Sequence, residues 1–288
     1  MIPAAFDYVA PSTVREALAV LRSSAGDARL LAGGQSLIPM MRMRLVNPGL
    51  VVDLSRVADL AYVREHDGGI AIGAMTTYRT IETSLLVRER FPLLTEVASQ
   101  VADLQVRNRG TIGGALAHAD PSADLPALMV AADARILTRG GGRGRSIPAT
   151  RFFVDAFTTA LRETEIITRI VVPAPPARTG GSYQKLANRA SHFAIVGVAA
   201  LVTLDAAGVC SRVRIGVTGA GPAASRAQAA ESYLAGRAPT EAALEAAAAR
   251  AGDGIDFTDD LHGSAAYREH LTQRLAFRAL SAAVERAG

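Results

Sequence analysis

Two glycine pairs stand out as groups able to do chemistry. Gly33-Gly34-Gln35-Ser36 follows a strand-like stretch and precedes a helical one, and Thr111-Ile112-Gly113-Gly114 recurs 79 positions later, counted from Gly34 to Gly113. Glycine lets backbone N–H groups approach a ligand closely. At a helix N-terminus such a turn offers unpaired amides, a hydroxyl and the positive end of the dipole, a combination suited to phosphate. The second segment offers a similar nest. Each pair taken alone reads first as a tight turn, because glycine pairs are common punctuation. Two converging cradles fit a pyrophosphate, and hence a dinucleotide.

Other chemistry is excluded by residue counts. The chain has 288 residues and a net charge of +4, with 31 basic and 27 acidic residues spread along it and no basic stripe interleaved with aromatics. That distribution argues against nucleic acid as a partner. Lys185 is the sole lysine, and it lies between Gln184 and Leu186, so the Gly-Lys-Ser/Thr of a P-loop is absent. A single cysteine, Cys210, rules out an internal disulfide, a CxxC metal motif or a four-cysteine iron–sulfur cluster within the chain. The five histidines show no metal-ligand spacing, so no bound metal is expected. The longest apolar run, Ala194 to Leu204, is shorter than the roughly 20 residues of a membrane helix. With no basic and apolar leader at the start, a cytoplasmic protein is expected.

The elements that must position the glycine pairs alternate. Thr13 and Glu16 have capping-box spacing, and Val14, Leu18 and Leu21 share a helical face. A strand over 28–32, the glycine turn, a helix over 37–45 that Ser36 can cap, and a strand over 51–54 then form a small βαβ unit. A strand is expected at 70–74, a helix start at 76–82 and a helix at 91–101. The second glycine turn, 107–114, leads into a helix opened by 120–124 and ending near Ala132. Arg135 to Thr138, the glycine-rich turn 140–145 and Ser146-Ile147 read as a hairpin. The strand 165–172 ends at Pro173-Ala174-Pro175-Pro176, the clearest linker. Strand-like stretches at 182–186, 194–204 and 213–218 and helices at 240–251 and 265–286 follow, read as a sheet backed by a helical pair.

The segments Leu31-Ala32-Gly33-Gly34-Gln35-Ser36-Leu37-Ile38-Pro39, Gly110 to Gly114 and His118-Ala119-Asp120-Pro121-Ser122-Ala123-Asp124-Leu125-Pro126 resemble the FAD-binding medium subunit of molybdenum hydroxylases, the carbon monoxide dehydrogenase and xanthine dehydrogenase family. The likeness runs from Phe6-Asp7-Tyr8 to Tyr267-Arg268. It implies an α+β fold: a two-lobed FAD-binding domain over 1–175, with a small βαβ lobe over about 1–57 and a larger mixed lobe over 58–175. A smaller C-terminal domain over 178–288 carries an antiparallel sheet and a helical pair. The resemblance assigns Ala32, Gly33, Gly34, Gln35 and Ser36 and Thr111, Ile112, Gly113 and Gly114 to the FAD pyrophosphate. It makes Asp124 an FAD-binding acid and places Lys185, after the aromatic Tyr183, near the flavin ring, with Phe193 over one face. Leu161 and Ile166 lie in the segment that lines the ring, and either could touch it. Asp124 reads independently as a first-turn acid favouring the helix dipole, Lys185 as an exposed strand residue and His118 as a structural residue.

Two positions depart from the resembling pattern: Ala115 stands where Asn is common after the second glycine pair, and His192 where an acid is common. The function implied is an electron-transfer subunit that relays electrons from a partner iron–sulfur subunit to an external acceptor. Substrate is then oxidised on a molybdenum-cofactor large subunit, in an assembly expected to be a dimer of heterotrimers. A free-standing FAD oxidoreductase and a noncatalytic dinucleotide-binding scaffold are the alternative readings.

Overall fold

The computed structural model describes residues 2–140 and 142–288. The N-terminal unit comprises β1 (Asp7–Val9), α1 (Val14–Ser23), β2 (Ala28–Leu31), α2 (Leu37–Arg42) and β3 (Leu50–Asp53). Both β1 and β2 pair in parallel with β3, giving the strand order β1-β3-β2 that two helical crossovers require. Thr13 caps α1 by accepting the Glu16 N–H. One turn on, Ala17, Leu18 and Leu21 face inward onto Val52, Leu54, Val57 and Leu60. Helix α2 stops three residues earlier than its apolar pattern suggests. Arg44 adopts φ +59° and the Leu45 N–H closes onto the Met40 carbonyl at 2.9 Å, which ends the helix without a glycine.

The middle unit holds β4 (Val63–His66), β5 (Gly69–Gly73), α3 (Tyr78–Thr83), α4 (Leu85–Arg90), α5 (Pro92–Ser99), α6 (Leu104–Arg109), α7 (Ile112–His118), α8 (Asp124–Ala131), β6 (Arg135–Arg139), β7 (Arg145–Pro148), β8 (Phe153–Asp155), β9 (Thr158–Thr159) and β10 (Ile166–Val172). Its five-stranded antiparallel sheet has the order β4-β5-β10-β6-β7. The hairpin expected at 135–147 forms as β6 and β7, and Gly141 of its expected turn lies outside the described residues. Residues 107–114, read from the sequence as a turn, instead end α6 and begin α7, with Gly110 and Thr111 between them. All eight residues of α8 are buried, because it packs on α5 and α7 on one side and on the following sheet on the other.

After Pro173-Ala174-Pro175-Pro176 the chain enters β11 (Thr179–Ala187), β12 (Ala194–Leu204), β13 (Cys210–Thr218) and β14 (Ser225–Arg226). Then come α9 (Gln228–Leu234), α10 (Glu241–Ala248) and α11 (Ala265–Ala287). The sheet is antiparallel in chain order. Its outer core joins Val196, Val198, Val202 and Ile215 to Leu275, Ala276, Ala279 and Leu280 of α11. Its opposite face meets α8, so the first turn of α8, with Asp124, is enclosed by elements far apart in sequence. Helix α9 has no counterpart in the sequence reading.

Candidate functional site

A cleft of about 600 Å³ runs between the N-terminal and middle units and reaches the edge of the C-terminal sheet, a size typical of sites that enclose a small molecule. Ala32, Gly33, Gly34, Gln35, Ser36, Thr111, Gly113, Gly114, Asp124, Leu161, Ile166 and Phe193 all line it. Ile112 and Lys185 do not reach its surface: the Ile112 side chain is fully buried in the middle core, and Lys185 lies behind the wall. The structure thus gathers most of the sequence-selected residues on one surface and sets these two behind it.

The two glycine segments are built differently. Gly34 needs its glycine for conformation, at φ +78°. Gly33 needs it for space, since a Cβ there would lie 2.1 Å from the Arg109 carbonyl oxygen. This first turn therefore leans directly on the backbone that precedes the second. Among the described residues, no protein acceptor takes the N–H groups of Gly34, Gln35 or Ser36, and the Ser36 hydroxyl makes no capping bond, contrary to the cap expected of it. Gly34, Gln35 and Ser36 all line the cleft, so these donors are unclaimed in its wall.

In the second segment the donors are already used. Ile112 N–H donates to Thr76 O at 3.0 Å, Gly113 N–H to Ala74 O at 2.8 Å, and Gly114 N–H to Thr111 Oγ1 at 3.1 Å. The expected second nest of free amides is absent because the segment is the first turn of α7. Its orphan donors are satisfied by a threonine cap and by carbonyls just past β5. A Cβ on Gly113 would lie 2.6 Å from Ala74 O, so this glycine permits close packing of helix on strand, and Gly113 and Gly114 present a smooth wall.

Asp124, also in the cleft wall, is 5% exposed and ion-paired. Tyr183 Oη donates to its Oδ1 at 2.6 Å, and Lys185 Nζ donates to Oδ1 and Oδ2 at 3.0 and 3.1 Å. Burial pushes the Asp124 carboxyl up, against the opposing pull of Lys185 and Tyr183. The buried Tyr78 and Tyr183 hydroxyls are both held above the ordinary phenol range, first by burial and then by the Asp124 charge. Lys185 is therefore neither an exposed strand residue nor a bare cation facing the cleft.

Further wall residues escaped the sequence reading. Phe157 holds φ +53°, donates its N–H to Ala119 O at 3.0 Å and tilts its ring against His118 at 5.1 Å. Val101 and Ala102 form the facing wall, with Ala102 at φ +43°. These residues sit in connections after helices and strands and carry no motif, so only their assembly reveals them. Beneath Ile166, Glu165 forms a two-pronged pair with Arg145, which holds its carboxyl below the usual range. Among the described residues no group of three or more His, Cys, Asp or Glu side chains is arranged to hold a metal ion.

A cleft of this size that combines unclaimed backbone amides in a glycine turn with apolar and aromatic lining has the features of a dinucleotide site. Comparison with known proteins narrows the class. Residues 4–175 match the family described as the FAD binding domain in molybdopterin dehydrogenase, and residues 181–283 match the CO dehydrogenase flavoprotein C-terminal domain. The chain belongs to this flavoprotein family, and FAD is its cofactor. It is 41% identical to the carbon monoxide dehydrogenase medium chain of Hydrogenophaga pseudoflava over 98% of each chain. It is 40% identical to the alpha subunit of the 6-hydroxypseudooxynicotine dehydrogenase complex of Paenarthrobacter nicotinovorans, covering 100% of this chain and 97% of that one. The solved carbon monoxide dehydrogenase of Hydrogenophaga pseudoflava superposes with a TM-score of 0.97 at 42% identity over 99% of each chain. The α+β fold expected from the sequence is the fold of these relatives, and the chain is an oxidoreductase subunit of the molybdenum hydroxylase type.

Proposed function

We propose that the chain is the FAD-carrying relay of a cytoplasmic molybdenum hydroxylase, taking electrons from an iron–sulfur small subunit and passing them to an external acceptor while a molybdenum-cofactor large subunit oxidises substrate. The observation that carries this reading is the cleft, whose wall combines free amides, a buried ion pair and exposed aromatic rings. Its donors and shape fit FAD. The 34–36 amides and the Ser36 hydroxyl would hold the pyrophosphate, and Gly33, Thr111, Gly113 and Gly114 would form the wall against which it lies. Leu161, Ile166 and Phe193 would enclose the ring, while Ile112 and Lys185 support the wall from behind. Bound flavin supplies the capacity to accept and release electrons singly or in pairs; the protein supplies position, desolvation and charge.

Two features support an assembly over a free-standing enzyme. The single cysteine leaves iron–sulfur chemistry to another chain. At the cleft, Phe157 and Phe193 expose 59% and 46% of their surface, apolar ground of the kind a partner covers. We place the domain boundary at 173–176, and the assembly is a dimer of heterotrimers. The test is reconstitution. The flavin of the isolated chain is expected to be reduced by dithionite but not by the substrate of the assembly, and addition of both partner subunits restores substrate-driven reduction. Turnover by the chain alone at the rate of the assembly would overturn the relay reading in favour of a free-standing oxidoreductase. Protein that takes up no FAD would favour the noncatalytic scaffold.

A further inference from the structure

Behind the cleft wall beside Phe193, one ammonium group joins three segments. Lys185 Nζ donates to Gln100 O at 2.8 Å, to the Asp124 carboxylate and to His192 O at 3.0 Å, which uses all three of its protons. Gln100 precedes the Val101-Ala102 wall, Asp124 begins α8, and His192 precedes Phe193. Gln100 closes α5 in ordinary helical backbone, whereas His192 sits at φ +61°, a conformation that disfavours a side chain with a Cβ.

The connection from β11 to β12, residues 188–193, is tied at its other end by Asn188. The Asn188 Oδ1 accepts the N–H groups of Ala190 and Ser191 at 2.9 and 3.2 Å, and its Nδ2 meets His262 Nδ1 at 3.2 Å. Asn188 N–H donates to Phe193 O at 2.8 Å, closing the loop on itself. Ser191, His192 and Phe193 line the cleft, yet Phe193 remains 46% exposed, so its ring stands at the border between pocket and solvent.

We propose that residues 188–193 are a strap over the ring end of the cleft and that Lys185 is its positioning residue, acting through His192 and Gln100 to set how closely Phe193 and the 101–102 wall approach each other. What the strap covers rests on the FAD reading; its attachment does not.

The chain contains no tryptophan, so Phe193→Trp gives a single fluorescent reporter on the strap itself. In that background, acrylamide quenching of the flavin-free full chain is measured for Lys185→Met, Lys185→Arg and Asn188→Ala, with urea unfolding as the check on global stability. Lys185→Met and Asn188→Ala are each expected to raise the quenching constant about twofold while the chain stays folded, as local release of a segment does. Lys185→Arg, which keeps a donor, is expected to fall between them and the parent. An unchanged constant in folded Lys185→Met overturns the proposal. If that variant does not fold, Asn188→Ala decides: a rise supports the strap and no change overturns it. Added FAD should quench the tryptophan in the parent; absence of that quenching counts against the FAD reading alone, because the strap measurements are made without flavin.

Discussion

Gly33→Ala is a stringent test of how the cleft is built. The new Cβ would lie 2.1 Å from Arg109 O and 2.9 Å from Gly110 Cα, both backbone atoms that cannot rotate away. Ordinary contact begins at 3.4 Å, so the 33–36 turn and the 109–110 segment must part by about 1.3 Å, the difference between 3.4 and 2.1 Å. Overpacking of this kind costs about 1–3 kcal/mol of stability. A displacement of that size also carries an amide out of hydrogen-bond range. Loss of one bond to a charged group, about 1.5–3 kcal/mol, weakens binding by about one to two orders of magnitude. The assay is calorimetric titration of the flavin-free chain with FAD beside thermal unfolding without FAD. Gly142→Ala, where a Cβ meets nothing within 4 Å, is the control and should change neither. If Gly33→Ala binds FAD as tightly as the parent and unfolds at the same temperature, the contact between the two glycine segments does not shape the site.

Three further outcomes follow from charge and burial. Asp124→Asn or Lys185→Met alone leaves one member of a buried pair without its partner and is expected to cost about 3–5 kcal/mol in urea unfolding. The double substitution should recover much of that, and strictly additive losses would show that the pair is not coupled. Acid titration should destabilise the chain through Glu165 and Asp133. Arg145 holds the Glu165 carboxyl low, and for Asp133 the pull of Arg214, Arg226 and Arg212 outweighs the upward push of burial. Both folded values lie below the unfolded ones of about 4, so this stability is complete above the unfolded range and is lost as pH falls through the folded values. Unfolding midpoints that stay flat from pH 6 down to 3 would contradict it. Cys210, fully buried and with its thiol pushed up to about 11, should resist aromatic disulfide reagents at pH 8 until the chain unfolds; prompt labelling of folded protein would show that the 210–218 strand opens locally.

Local patterns in the sequence were enough for the βαβ unit, the capped first helix, the hairpin at 135–147 and the family itself, because each rests on residues a few positions apart or on an ordered set of short motifs. Twelve of the fourteen residues singled out as cofactor-binding line the one cleft described. What the sequence could not disclose is which donors remain free. Gly33-Gly34 and Gly113-Gly114 look alike as strings, but the amides of the second are taken by carbonyls of Ala74 and Thr76, contributed by chain that only the tertiary fold brings alongside. Lys185 reads as an odd lone lysine; its partner Asp124 is 61 positions away and meets it only because α8 is enclosed between the C-terminal sheet and helices α5 and α7. A hydrogen-bond donor is available to a ligand only if no part of the chain has claimed it, and that depends on long-range packing, which neither residue type nor spacing encodes.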